Sequence, residues 1–388
     1  MLGDYPVLTL ARPARRMRPM PDNATPLATV PGTGPQWRFF LTWALPLALI
    51  VQAIRRPEVA GFGALVLWAG VAAIDAWWPG AQHSPGPRSN SVWHRLVLRL
   101  FVPLQFAMLA VVGWVAADAS WPVLFGLAFA AGWLAGAQGI TFAHELGHSK
   151  SRLDRALAWM LMACVGYSHF MVEHYRGHHV RAATLEDPAS ARFGESLYAF
   201  LPRTLSGSLT SGWRLERQRL AQVGSSWARS PLLWCTGAAL AFGTGLLLAG
   251  QVKLLAFWCA QSAVAVLLLE TVNYIEHYGL RRGPRRNRAG GAAREPFGMM
   301  HAWNADHAAS NALLVNLQRH SDHHMHAWKP YATLEAMPQA PQLPCGYAGC
   351  LFLALLPPLW YGVMHPRLAA LAKRAARAQV ATRPSVAQ

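Results

Sequence analysis

Six apolar runs constrain this chain before any motif does: Trp37–Ile54, Gly61–Trp78, Leu100–Ala117, Trp121–Ala143, Pro231–Gly250 and Leu254–Ile275. As a helix, each is about long enough to cross roughly 30 Å of hydrocarbon. Within a bilayer, a helix lets one segment satisfy all of its own backbone hydrogen bonds. A soluble fold leaves these runs unexplained, and a composition of 53% hydrophobic and 14% charged residues agrees with membrane burial. The expected fold class is an all-α integral membrane protein with about six transmembrane helices. Ala156–Val172 is also apolar, but Tyr167, Ser168 and His169 interrupt it, so it reads as a buried or re-entrant helix. Gly346–Met364 contains Pro357–Pro358 and is expected in the interface or packed on the bundle. Residues 1–36, rich in Pro and Arg and without an apolar signal-peptide core, read as a disordered tail. The remainder, 37–388, reads as a single membrane domain.

Basic residues orient the spans. With both termini cytoplasmic, the outer loops hold only Arg55, Arg56 and Lys253 of the 35 lysines and arginines, a strong positive-inside bias. The net charge of +17 then reflects topology and contact with anionic lipid, and no nucleic-acid partner is expected. Cys164, Cys235, Cys259, Cys345 and Cys350 form no C-x-x-C pair and read as small apolar residues in the bilayer or a reducing compartment.

The chemistry lies in the histidines. "HELGH" holds His144 and His148, "VEHYRGHHV" holds His174, His178 and His179, "NYIEHYGL" holds His277, and "LQRHSDHHMH" holds His320, His323 and His324. Each stretch falls just beyond the cytoplasmic end of a span or on the segment that follows. Spacings of i, i+3 and i+4 are expected to place the imidazoles of each stretch on one helical face. HELGH alone fits the zinc-protease pattern H-E-x-x-H, with Glu145 as base, but that reading leaves the other stretches unused. Neutral imidazoles suit iron, copper or zinc. One zinc takes about four ligands, so nine histidines point to two ions with four or five nitrogens each. Glu145 then reads as a carboxylate that holds a ligating imidazole through its other nitrogen. Glu173, Asp187, Glu276 and Asp322, each beside a ligand, are candidates for the same task.

These stretches, with "GYSHFMVEHYRGHH", "EDPASARFGESLY", "HAWNADHAASNALLVNLQRHSDHH" and "LPCGYAGC", resemble the integral-membrane non-haem di-iron alkane 1-monooxygenases over roughly Phe39–Leu368. Ser149, Met325 and Ala327-Trp328-Lys329 depart from the usual residues of that family and touch no proposed ligand. The resemblance implies that His144, His148, His174, His178, His179, His277, His320, His323 and His324 bind two Fe ions, without saying which histidine serves which iron. It implies terminal hydroxylation of alkanes with O2, one oxygen entering a primary alcohol and the other leaving as water. Membrane fatty-acid desaturases and other membrane di-iron hydroxylases, which share eight-histidine boxes, are the alternative. It also implies a multi-pass protein of a bacterial inner (cytoplasmic) membrane, with the metal site on the cytoplasmic side.

An alkane offers no hydrogen-bonding group, so chain length is expected to be selected by an apolar channel between the spans. Leu67 and Trp68, midway along the second span, are the channel candidates, with Trp68 as a cap or as an ordinary packing residue. Glu270, Asn273 and His277 share one face of the sixth span, which is expected to look inward, because a charge at this depth is costly unless paired. Asp75 reads either as a similar contact or as an interfacial charge. There is no Gly-rich dinucleotide fingerprint in a strand–helix unit, and Cys345 and Cys350 have the wrong spacing for a fused rubredoxin. Electrons are expected from outside, and the resemblance implies rubredoxin and its NAD(P)H-dependent reductase. Arg281, Arg282, Arg285, Arg286 and Arg288 suit an acidic partner, or equally are positive-inside charges.

Overall fold

The computed structural model describes residues 36–78, 92–286 and 292–381. Most of the N-terminal tail, Arg288 and the extreme C-terminus, where sequence-based expectations were also placed, lie outside these described residues. Among the described residues, six helices are long and apolar enough to cross a membrane: Arg38–Arg55, Pro57–Trp77, Val92–Asp118, Trp121–Gly147, Pro231–Leu248 and Val252–His277. They coincide with the six apolar runs, with shifted ends. The third starts about two turns earlier than expected, because its first turns carry His94, Arg95 and Arg99, which lower the hydropathy without breaking the helix. Arg99 is anchored there by Asp154, 2.6 Å away.

In chain order the helices are α1 (Ala44–Arg55), α2 (Ala60–Trp77), α3 (Val92–Asp118), α4 (Trp121–Leu134), α5 (Thr141–Gly147) and α6 (Arg152–Cys164). A π-helical stretch, Ala135–Ile140, joins α4 and α5 into one continuous span. Next come α7 (Phe170–Val172), a second π-helical stretch (Glu173–His178), α8 (His179–Arg181), α9 (Leu197–Gln222), α10 (Pro231–Leu248) and α11 (Val252–His277). The chain ends with α12 (Ala308–Leu313), α13 (His320–Met325), α14 (Tyr347–Ala354) and α15 (Pro357–Ala381). Among the described residues the only strands are the short antiparallel pair β1 (Pro284–Arg286) and β2 (Ala292–Arg294).

The fourth span is the axis of the bundle: 67% of its apolar window is buried, against 11% for α10, which turns large side chains such as Leu240 and Phe242 outward. Small residues make this burial possible. A Cβ at Gly136 would lie 2.8 Å from the Ala265 carbonyl oxygen, and Gly132 is similarly tight against Gln261 of α11. The Gly132–Gly136 spacing puts both on one face, the small-residue packing that lets membrane helices approach backbone to backbone.

The apolar stretch Ala156–Val172 is not continuous. Its first part belongs to α6, which closes at Gly166 with φ +65°, where Tyr167 N–H bonds Met162 O and Gly166 N–H bonds Ala163 O. That left-handed cap ends the helix and lets the chain re-enter as α7. Gly346–Met364 likewise divides: α14 packs on α2 and α11, and α15 begins at Pro357 and buries Trp360 against Tyr274 and Tyr278. Asp75 is buried, and its partners lie on α12. Its carboxylate accepts the backbone N–H groups of Ala309 and Ser310 at 3.1 Å and caps the start of α12.

Candidate metal centre

The nine histidines converge at one end of the bundle and divide into two groups. His144, His148, His174, His179 and His323 form one; His178, His277, His320 and His324 form the other. Within each group, one ring nitrogen per residue lies within 4.8 Å of every other. The closest Nε2–Nε2 approaches are His144–His323 at 2.8 Å, His174–His179 at 2.9 Å, and His178–His324 and His277–His320 at 3.2 Å. His169, His301, His307 and His326 join neither group.

Each stretch was expected to offer a single face, and the structure differs. The Glu173–His178 π-turn carries an extra residue per turn, so His174 meets His179, five positions on, instead of His178. His178 faces the second group. The α13 helix divides likewise, giving His323 to the five-membered group and His320 and His324 to the other. Local contacts aim α13: Asn304 accepts the Ser321 N–H at 2.8 Å and donates to its hydroxyl at 2.7 Å, while Arg319 bridges Asp306 and the Leu334 carbonyl.

The outer nitrogens show that these rings suit a metal. His178 Nδ1 lies 2.9 Å from Asp187 Oδ2, His320 Nδ1 3.2 Å from Glu276 Oε1, and His277 Nδ1 3.4 Å from the His301 carbonyl. At His178 and His277 this acceptor places the proton on Nδ1 and leaves the Nε2 lone pair aimed into the cluster, the tautomer a metal requires, whereas Glu276 approaches His320 Nδ1 without hydrogen-bond geometry. His148 Nε2 is buried with no protein partner. Burial, and then the neighbouring imidazoles, hold His148, His174, His320, His323 and His324 well below the ordinary histidine range, and His179 behaves alike. A dense set of neutral nitrogen donors results.

Of the five carboxylates proposed to orient ligands, two, Asp187 and Glu276, face an imidazole of the cluster. Burial works to raise the Asp187 carboxyl, but His178, with a hydrogen bond from Ser190 Oγ at 2.6 Å, outweighs it and the group is lowered. Glu276 also accepts the Tyr347 hydroxyl at 2.8 Å. The other three have different partners. Glu145 is one residue beyond His144 on a helix, hence about 100° around it, and accepts the Tyr331 N–H at 2.9 Å. Glu173 pairs with Arg181 at 2.6 Å. Asp322 points away from the cluster and gathers His326, Lys329 and the Glu335 N–H. Tyr347 escaped the sequence reading as a site residue, although it lies in the quoted stretch LPCGYAGC.

An apolar cavity ends at the five-membered group. Its wall includes Leu45, Leu67, Trp68 and Trp133 at one part and His144 and His174 at another. Trp68 is held edge and face: its Nε1 donates to the Ala348 carbonyl at 2.8 Å, and its ring stacks on Phe352 with centroids 3.7 Å apart. On α11, Asn273 lines the cavity, and the buried Glu270 carboxylate accepts from Tyr167, Thr204 and Asn273. The deep carboxyl group is thus held by three hydrogen bonds. Of the arginines suggested for docking, Arg282 is engaged with the Val180 and Glu295 carbonyls.

The fatty acid desaturase family model matches residues 119–349, which contain all nine histidines. The chain is 40% identical to alkane 1-monooxygenase 2 of Pseudomonas aeruginosa over 284 residues, covering 72% of this chain and 74% of the relative. It is 43% identical to alkane 1-monooxygenase 1 of the same organism over 253 residues, covering 64% and 65%. Identity to alkane 1-monooxygenase 1 of Alcanivorax borkumensis is 35% over 320 residues, covering 78% and 76%. A six-helix membrane bundle, a paired histidine cluster and these relatives agree: the chain belongs to the alkane 1-monooxygenases of the fatty acid desaturase family.

Proposed function

We propose that this protein hydroxylates alkanes at the terminal methyl group at a pair of irons, one held by His144, His148, His174, His179 and His323, the other by His178, His277, His320 and His324. The observation that carries the reading is the apolar cavity whose wall includes His144 and His174. Two irons bound there would supply the redox chemistry by which O2, two electrons and two protons convert a C–H bond to an alcohol and release one water. The chain's own residues do the rest. The leucines and tryptophans of the wall bind an alkane along its length and exclude water, so a methyl end is what reaches the histidines. Asp187 and the His301 carbonyl hold two imidazoles in the orientation and tautomer a metal needs.

The histidine end is the cytoplasmic end in this reading, because Arg55, Arg56 and Lys253 stand at the other. Electrons come from rubredoxin, reduced by an NAD(P)H-dependent reductase, since the chain carries no dinucleotide fingerprint or paired C-x-x-C motif. The test is to incubate membranes containing the protein with octane, hexadecane and a fatty acid, with and without the donor proteins. The expected product is the 1-alkanol, formed only with donors. An unsaturated fatty acid without alkanol would move the chain to desaturation, and metal analysis finding zinc would overturn the redox reading.

A further inference from the structure

The cavity wall contains an amide with nothing to bond. Gln138 is 1% exposed and lines the cavity with Thr141, His144 and His174, yet both its Nε2 and Oε1 are buried without a protein partner. Three other polar wall residues are engaged: Asn273 donates to Glu270, Ser310 to Asp75, and Tyr347 to Glu276. Gln105 and Gln261 also carry an unpartnered amide oxygen, but neither lines the cavity. Gln138 sits in the Ala135–Ile140 π-turn, on the same continuous span as His144, and such turns re-aim side chains at functional sites.

An alkane has no use for this amide. A buried donor and acceptor are costly to leave unpaired, and a glutamine offers both roles at once. A hydroxyl group needs the same pair, donating to Oε1 and accepting from Nε2. The group that appears in this cavity during the proposed reaction is the hydroxyl of a primary alcohol. We propose that Gln138 is an alcohol-binding site in the wall of the substrate cavity, which takes the hydroxyl of a primary alkanol and makes the cavity prefer alcohol to alkane of equal length. This rests on the reading of the cavity as an alkane site and extends it to the product. The consequence is product retention: alcohol competes with incoming alkane until the bilayer draws it away.

The experiment measures thermal unfolding midpoints of the full-length, metal-loaded protein in nanodiscs, titrated with 1-octanol or with nonane, which replaces the hydroxyl by a methyl. The wild type should reach half of its midpoint shift at about tenfold lower octanol than nonane, the discrimination expected of one good hydrogen-bonding group. In Gln138→Met, similar in length but apolar, that ratio should fall to near one, with the nonane response retained. Inhibition of octane turnover by 1-octanol should weaken by a similar factor. Equal responses of the wild type to both ligands overturn the proposal even if the variant does not fold, as does a Met variant that keeps the preference. If neither ligand shifts the midpoint, the reading of the cavity as an alkane site fails instead. A water molecule satisfying Gln138 permanently gives the equal-response result.

Discussion

His178 and His179 are adjacent in the chain and serve different clusters: His178 Nε2 lies 3.2 Å from His324 Nε2, whereas His179 Nε2 lies 2.9 Å from His174 Nε2. Neighbouring positions on a helix point about 100° apart, and here the two directions meet two groups. The short segment thus ties the groups together, and a change in it reaches both.

Removing one ligand should cost the smaller group more. His277→Ala leaves three imidazoles in its group, while His148→Ala leaves four in the other. Metal affinity of the His277 group should fall by more than the roughly 10–100-fold typical of losing an outer-sphere partner. Metal content of the purified variants checks this. Equal, full occupancy in both would remove His277 from the ligand set.

The buried carboxylates should separate in their effects. Asp187→Asn disturbs the partner that sets the His178 tautomer and should lower metal affinity about 10–100-fold. Asp322→Asn should leave metal content unchanged, because its contacts are His326, Lys329 and the Glu335 N–H. Its cost should be in stability, about 1.5–3 kcal/mol for weakened charge-assisted hydrogen bonds. Metal titration and chemical unfolding of both variants distinguish the two roles.

Acid should destabilise the metal-free protein. Burial and neighbouring rings depress the folded-state pKa values of His148, His174, His179, His320, His323 and His324. Below about pH 6.5 the unfolded chain therefore binds protons that the folded chain refuses, and stability falls as pH falls through that value. Unfolding midpoints of the metal-free protein should drop between about pH 7.5 and 5.5. A flat profile across this window refutes the prediction.

Chain-length selection should respond to Trp68. Its ring is fixed by Ala348 and Phe352 and forms part of the cavity wall. Trp68→Ser should extend the longest alkane accepted. Trp68→Phe, which loses the hydrogen bond but keeps a ring, should change relative rates between adjacent chain lengths by less than the roughly 10–200-fold that one methylene can carry. Product profiles over a series of alkanes test both.

What the sequence determined by itself is what local chemistry can express. Hydropathy over a helix length marks the six spans, and histidines at short spacing stand out as a donor set. The sorting of that set required the fold. No periodicity announces the π-turn at Glu173–His178, since its register depends on how α7 and α9 pack around it, and that turn sends His178 one way and His174 and His179 the other. The carboxylates differ for the same reason. Glu145 and Glu276 each sit beside a histidine in sequence, but only Glu276 meets an imidazole, because α13 brings His320 to it from far along the chain. Gln138 is one apolar-span glutamine among several until α2, α11 and α14 close a cavity around it. Contacts between residues distant in the chain decide these matters, and they exist only once the helices have packed.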